Sequence, residues 1–201
     1  PETGWKGVMN SAFRECASLN QQITIESATS MDNTFRGCTS LIITPVLPKN
    51  VNGVMTGCFH SCNKLVTPPQ TPEGVLFMDS CYYGCTSLTI APYIPNTCTN
   101  ISNLVYSCDK LTEITIPLEN IKTYTNALYG TGIQKINWVG KRKTNFDIFV
   151  SGLYGGSLDT KEYKPETLKS LVDDHLDDLY KDKIKINYGS KISINGTEKA
   201  L

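Results

Sequence analysis

Met78-Asp-Ser-Cys-Tyr-Tyr-Gly-Cys-Thr-Ser-Leu88 is the stretch on which the reading of this chain turns, because it is written repeatedly. One copy upstream it becomes Met55…Phe59…Cys62…Leu65, then Met31…Phe35…Cys38…Leu41, and first Met9…Phe13…Cys16…Leu19. Downstream it softens to Ile101…Val105…Cys108…Leu111. The cysteines at 16, 38, 62, 85 and 108 are 22, 24, 23 and 23 residues apart. A constant period in this range marks a stacked repeat, in which one unit cannot bury its own apolar face and neighbours must do so.

Within a copy the apolar residues fall at i, i+4, i+7 and i+10, as in Met31, Phe35, Cys38 and Leu41. The first three of these share one face of a helical turn. Gly37 and Gly84, just before the cysteine, suit a left-handed exit from that turn. After the leucine the chain turns β-rich, most clearly in Leu111-Thr-Glu-Ile-Thr-Ile116 and Leu88-Thr-Ile-Ala-Pro-Tyr-Ile94. Prolines (Pro45, Pro48, Pro68, Pro69, Pro92, Pro95, Pro117) follow and are expected to stop each strand. Stacking would make the cysteines and leucines continuous interior ladders, the pattern of a leucine-rich repeat.

The phrases Phe35-Arg-Gly-Cys-Thr-Ser-Leu41 and Cys81-Tyr-Tyr-Gly-Cys-Thr-Ser-Leu88, with the Pro-x-x-Pro between them, resemble the BspA-type leucine-rich repeats of bacterial surface proteins. Similar arrays occur in gut bacteria and their phages. The resemblance covers roughly residues 5–160 and implies adhesion to host proteins or other cells. The expected fold is an α/β solenoid, a right-handed leucine-rich-repeat coil of about six to seven turns with short strands on one face.

From residue 119 the pattern drifts. Ile121…Tyr124…Leu128…Thr131…Ile133 keeps the spacing but loses the cysteine, and Ile133, Ile136 and Trp138 read as its strand. A last unit runs Phe146…Val150…Leu153. Residues 1–160 are thus expected to form the array and 161–201 a closing cap. Pro165–Tyr180 has the periodicity of an amphipathic helix, with Leu168, Leu171, Val172, His175, Leu176 and Leu179 on one face. Lys183–Ile194 alternates around Gly189-Ser190 as a β-hairpin, and Thr197–Leu201 reads as the first turn of a further helix. Helix and hairpin together would cover the open end of the coil.

Composition narrows the function classes. Lys plus Arg and Asp plus Glu are both 19, so no global field attracts nucleic acid or an anionic membrane. No apolar run approaches the roughly 18 residues of a membrane helix, and Pro1-Glu-Thr-Gly-Trp5 has no signal-peptide pattern. The five periodic cysteines are expected to be reduced and buried as small hydrophobes. Cys58 and Cys81, in a second column four residues earlier, are the candidates for a disulfide. Zinc is disfavoured at Cys58/Cys62 and Cys81/Cys85 because a stacked core offers no polar second shell. Asp173, Asp174, Asp177 and Asp178 make a solvated helix face rather than a cation loop.

The two histidines, His60 and His175, lie in different modules, and no nucleophile has a base with an orienting acid beside it. His60 follows Phe59 and should point away from the core, so it does not pair with the inward Cys62. No enzyme activity and no cofactor are expected. The basic run Lys141-Arg-Lys143 reads as an exposed turn. What a solenoid offers is surface. Counting two residues on from each leucine-type position gives Gln21, Ile43, Thr67, Ile90, Glu113 and Lys135 as the candidate binding column. An exposed Ile43 and Ile90 would mark a protein-binding face, whereas a register shift by one would bury both, and the pattern alone allows either. The expectation is a module of an extracellular or cell-surface adhesin that binds a host or bacterial surface protein or glycan. The alternative is a structural or receptor-binding part of a phage virion.

Overall fold

The computed structural model describes residues 7–49, 51, 53–140, 152–153, 155, 184–187, 191–194 and 197–200. The helix expected at 165–180, with His175 and the four aspartates, and the basic residues 141–143 lie outside them.

The stretch that reads as a helical turn is not one. Residues 7–140 contain no helix among the described residues. Each copy instead folds through two tight turns, with left-handed backbone at the second residue after the methionine-type position and again four residues later. In successive copies these are Ser11 and Glu15, Asn33 and Gly37, Gly57 and Ser61, Ser80 and Gly84, Asn103 and Ser107, Asn126 and Gly130. The sequence reading of Gly37 and Gly84 thus had the right sign of φ (75° and 69°) in the wrong element.

The hydrogen bonding explains why. Every second N–H closes a turn within its own coil: Thr34 donates to Met31 O, Arg36 to Asn33 O, Cys38 to Phe35 O. The alternate N–H groups point along the stack. Met31, Asn33, Phe35 and Gly37 donate to the carbonyls of Val54, Thr56, Cys58 and His60 one coil on. A helix would spend all these donors on itself. Left-handed residues placed four apart bend the backbone so that half of them reach the neighbouring coil, and the stacking itself satisfies the backbone. The same i, i+4, i+7 spacing results, because two tight turns bring Met, Phe and Cys inward as two turns of helix would.

Two ladders accompany these turns. One lies just ahead of the methionine-type position, where no strand was expected. There β1 (Gly53–Val54) pairs in parallel with β2 (Val75–Phe77), and single bridges join Val8 to Ser30, Phe77 to Asn100 and Asn100 to Thr123. The other follows the leucine. There β3 (Glu113–Pro117) and β4 (Lys135–Val139) run parallel with Ile114 opposite Ile136 and Ile116 opposite Trp138, as their alternation requires.

The strand expected over Leu88–Ile94 does not form, nor do its counterparts after Leu41 and Leu65. Pro45, Pro69 and Pro92 stand four residues past those leucines and are buried. They bring no N–H to a ladder, so they occupy core positions of an irregular segment rather than ending a strand. Side chains take over some of the missing ladder. Asn20 Oδ1 accepts the N–H of Ile42 (3.2 Å), and Thr44 Oγ1 donates to Thr67 O (3.0 Å).

The interior is one continuous cluster built from the repeat columns. Phe13, Phe35, Phe59 and Tyr82 stack with centroids 5.2, 5.3 and 5.3 Å apart. Val105 and Leu128 continue the column as aliphatic residues, both buried. Tyr82 brings a phenol hydroxyl into a position where the preceding copies carry phenylalanine, and that oxygen is buried without a partner. Leu128 N donates to Leu153 O, so chain beyond residue 150 continues the stacking, and Leu153 is buried.

At the C-terminal end β5 (Ile184–Asn187) and β6 (Lys191–Ile194) form the expected antiparallel hairpin. The expected helical turn after it is instead a third strand, β7 (Thr197–Ala200), antiparallel to β6. Four residues of Thr-Glu-Lys-Ala carry little strand propensity of their own, and an open β6 edge supplies the ladder that overrides it.

Candidate functional site

All six residues of the column predicted from spacing are exposed: Gln21, Ile43, Thr67, Ile90, Glu113 and Lys135. The register that would have buried the isoleucines is therefore not adopted. Ile43 is 41% and Ile90 54% exposed. Ile42 and Val66, one residue past their leucines, add to the same apolar middle. The ends differ in chemistry. Gln21 and Gln22 are exposed amides at one end. At the other, Glu113 Oε1 accepts from Lys135 Nζ at 2.8 Å and from Asn137 Nδ2 at 2.6 Å. Those donors hold the Glu113 carboxyl below its usual range, the lysine contact contributing most. The column thus has an aliphatic centre and a polar margin, with Glu113 and Lys135 paired to each other.

The buried cysteines do not add a reactive site. Seven are buried and Cys16 is exposed, and all eight carry free thiols, Cys58 and Cys81 included. Each thiol in the periodic column after Cys16 donates to the carbonyl of the phenylalanine-type residue one coil earlier. Cys38 reaches Phe13 O at 3.0 Å; Cys62, Cys85 and Cys108 reach Phe35, Phe59 and Tyr82 O at 3.1 Å. Cys16 belongs to the first copy among the described residues. Burial pushes the thiols up, Cys38 to about 11 and Cys108 to about 12, with Cys58, Cys81 and Cys85 well above the ordinary value. A thiol held protonated in an apolar column is a packing group, not a nucleophile. Among the described residues no group of three His, Cys, Asp or Glu side chains is placed to hold a metal ion.

His60 points outward, as its place after Phe59 requires, but it is not isolated. Its ring stacks on Tyr83, Tyr83 on Tyr106 and Tyr106 on Tyr129, with centroids 4.6, 4.6 and 5.0 Å apart. Burial in this stack, and then the Arg36 charge one coil earlier, lower the His60 pKa. Nδ1 lies 2.9 Å from Ser61 Oγ. This row (Arg14, Arg36, His60, Tyr83, Tyr106, Tyr129) is one residue past the buried aromatic column and escaped the sequence reading. Its signal was present: an aromatic or cation follows the phenylalanine-type residue in every copy.

Comparison with known proteins agrees with this geometry. The family described as BspA type Leucine rich repeat region matches in six copies, over residues 2–88 and 32–148. Among solved structures, the crystal structure of a T. pallidum leucine-rich-repeat protein, TpLRR, superposes with a TM-score of 0.52 at 19% identity. The alignment covers 68% of this chain and 63% of that one, so the likeness is one of fold and the chain spans less than two thirds of that protein. Comparison with curated protein sequences returns no match.

Proposed function

Because the chain belongs to the BspA-type leucine-rich-repeat family, we propose that it is a non-catalytic interaction module of a bacterial cell-surface adhesin. It holds a surface protein or glycan of a host or neighbouring cell against the column from Gln21 to Lys135. The observation that carries this reading is the exposure of Ile43 and Ile90 on a column that repeats coil after coil. The family supports the general role, an interaction repeat, and the exposed aliphatic centre supports the choice of this column.

Covering the exposed half of each of those isoleucines against a partner is worth about 0.7–1.5 kcal/mol. The double variant Ile43→Glu/Ile90→Glu would set two carboxylates against the partner. Screening the native chain against host surface proteins and arrayed glycans, then titrating the strongest ligand, provides the test. The variant is expected to bind that ligand at least tenfold more weakly, with a thermal midpoint close to the native one because both positions face solvent. Undiminished binding by a folded variant would remove this column from the account.

A further inference from the structure

We propose that the stacked row of Tyr83, Tyr106 and Tyr129 forms a second binding surface, for a neutral, linear polysaccharide lying along the stacking direction. It is a different column of the coil from the one ending at Lys135, and its test stands apart from that reading.

The rings use their faces on one another, with interplanar angles of 6° for His60–Tyr83, 5° for Tyr83–Tyr106 and 24° for Tyr106–Tyr129. What they turn to solvent is the edge and the hydroxyl. Tyr129 is 41% exposed, and its far side lies against Gly155, where a Cβ would come within 3.4 Å of its Cδ2. No protein group among the described residues takes the hydroxyls of Tyr83 or Tyr106. A ring edge carries partial positive charge and the phenol is both donor and acceptor, a combination suited to the oxygens and hydroxyls of a polyol.

The surroundings narrow the ligand further. Ser61, Gly84, Ser107 and Gly130 immediately follow the rings, so the row stands as a rib beside small residues that leave a long ligand room. Backbone groups beside it are already engaged. Ser61, Gly84 and Ser107 donate their N–H groups to the carbonyls of Tyr83, Tyr106 and Tyr129. A peptide adding as a strand would find no free ladder here. The row's cations, Arg14 and Arg36, stand at its other end, before His60. A charged polymer therefore gains nothing along the phenols. Identical groups at a spacing of 4.6–5.0 Å favour a ligand that repeats on a comparable scale, as an extended chain of sugar rings does. Each contact is weak, and several on one polymer add through high effective concentration.

Affinity electrophoresis through gels containing soluble β-linked glucans, mannans or an acidic polysaccharide decides the matter. The native chain is expected to be retarded by at least one neutral polymer, and long chains are expected to compete at least tenfold better than their trisaccharides. Tyr83→Phe/Tyr106→Phe keeps both rings and removes both hydroxyls. It is expected to unfold at the native temperature yet bind at least tenfold more weakly, while Ile43→Glu/Ile90→Glu binds the polymer as the native chain does. The proposal is overturned if no neutral polymer retards the native chain, if the phenylalanine variant binds undiminished, or if retardation appears with the acidic polymer alone. Equal loss in the isoleucine variant would assign glycan binding to the other column and equally overturn it.

Discussion

Phe59→Ala is expected to lower the stability of the chain by about 3–5 kcal/mol, the range for truncating a buried aromatic that the surroundings cannot collapse around. Phe59 is fully buried and stacked on both sides, against Phe35 at 5.3 Å and Tyr82 at 5.3 Å. Each such pair adds about 0.5–1.5 kcal/mol beyond the area it buries. The site has little freedom to close, because the backbone on either side is pinned to the neighbouring coils: Phe59 N donates to Cys81 O, and Phe59 O accepts from Cys62 N and Cys85 Sγ. Urea unfolding measures the difference. Thr67→Ala, on the exposed column, serves as the comparison and is expected to stay within about 0.5 kcal/mol. A loss at Phe59 no larger than that at Thr67 would mean the aromatic column is not interior.

The second large effect is with pH. Seven thiols are buried, and burial keeps them protonated at a pH where the same groups in the unfolded chain ionise near 9. Above that pH the unfolded chain binds fewer protons than the fold, so stability must fall as pH rises. Each such thiol removes up to about 1.4 kcal/mol per pH unit until the pH reaches its value in the fold. For Cys98 that value is about 11 and for Cys108 about 12. The contributions of several thiols together approach the whole stability of an ordinary domain, about 5–15 kcal/mol. Under reducing conditions the chain is therefore expected to hold its fold to about pH 9 and to unfold cooperatively within roughly two units above it. Cys108→Ala, though less stable at pH 7, is expected to show a slope shallower by about 1.4 kcal/mol per unit. A slope unchanged by that substitution would show the thiol is not held protonated by burial.

What could be read from the chain and what could not divide along physical lines. Period and inward positions were readable because burial is written directly into residue type: Met31, Phe35, Cys38 and Leu41 are all fully buried. The exposure of Ile43 and Ile90 was not readable, because counting from the leucine allows a register that buries both, and only the fold decides between them. The local backbone was not readable. Spacing of i, i+4 and i+7 is shared by two turns of helix and by two tight turns, and only the destination of alternate N–H groups separates them. Asn33, Ser80, Asn103 and Asn126, at the first left-handed position, were the available hint, since asparagine above all tolerates that conformation. The prolines misled for a related reason: a proline after apolar residues reads as a strand end, yet Pro69 and Pro92 are themselves core residues. The tyrosine row was overlooked because reading inward positions discards the residue next to each of them.

The claim on which the fold and both surfaces depend is that the recurring sulfur positions from Cys38 onward share one dry interior. Counting thiols with a chromogenic disulfide reagent at pH 8, on the native reduced chain, tests it directly. One thiol, that of Cys16, is expected to react at once, and the other seven only as the chain unfolds. Several thiols reacting at the rate of a free cysteine, with the fold intact, would contradict it.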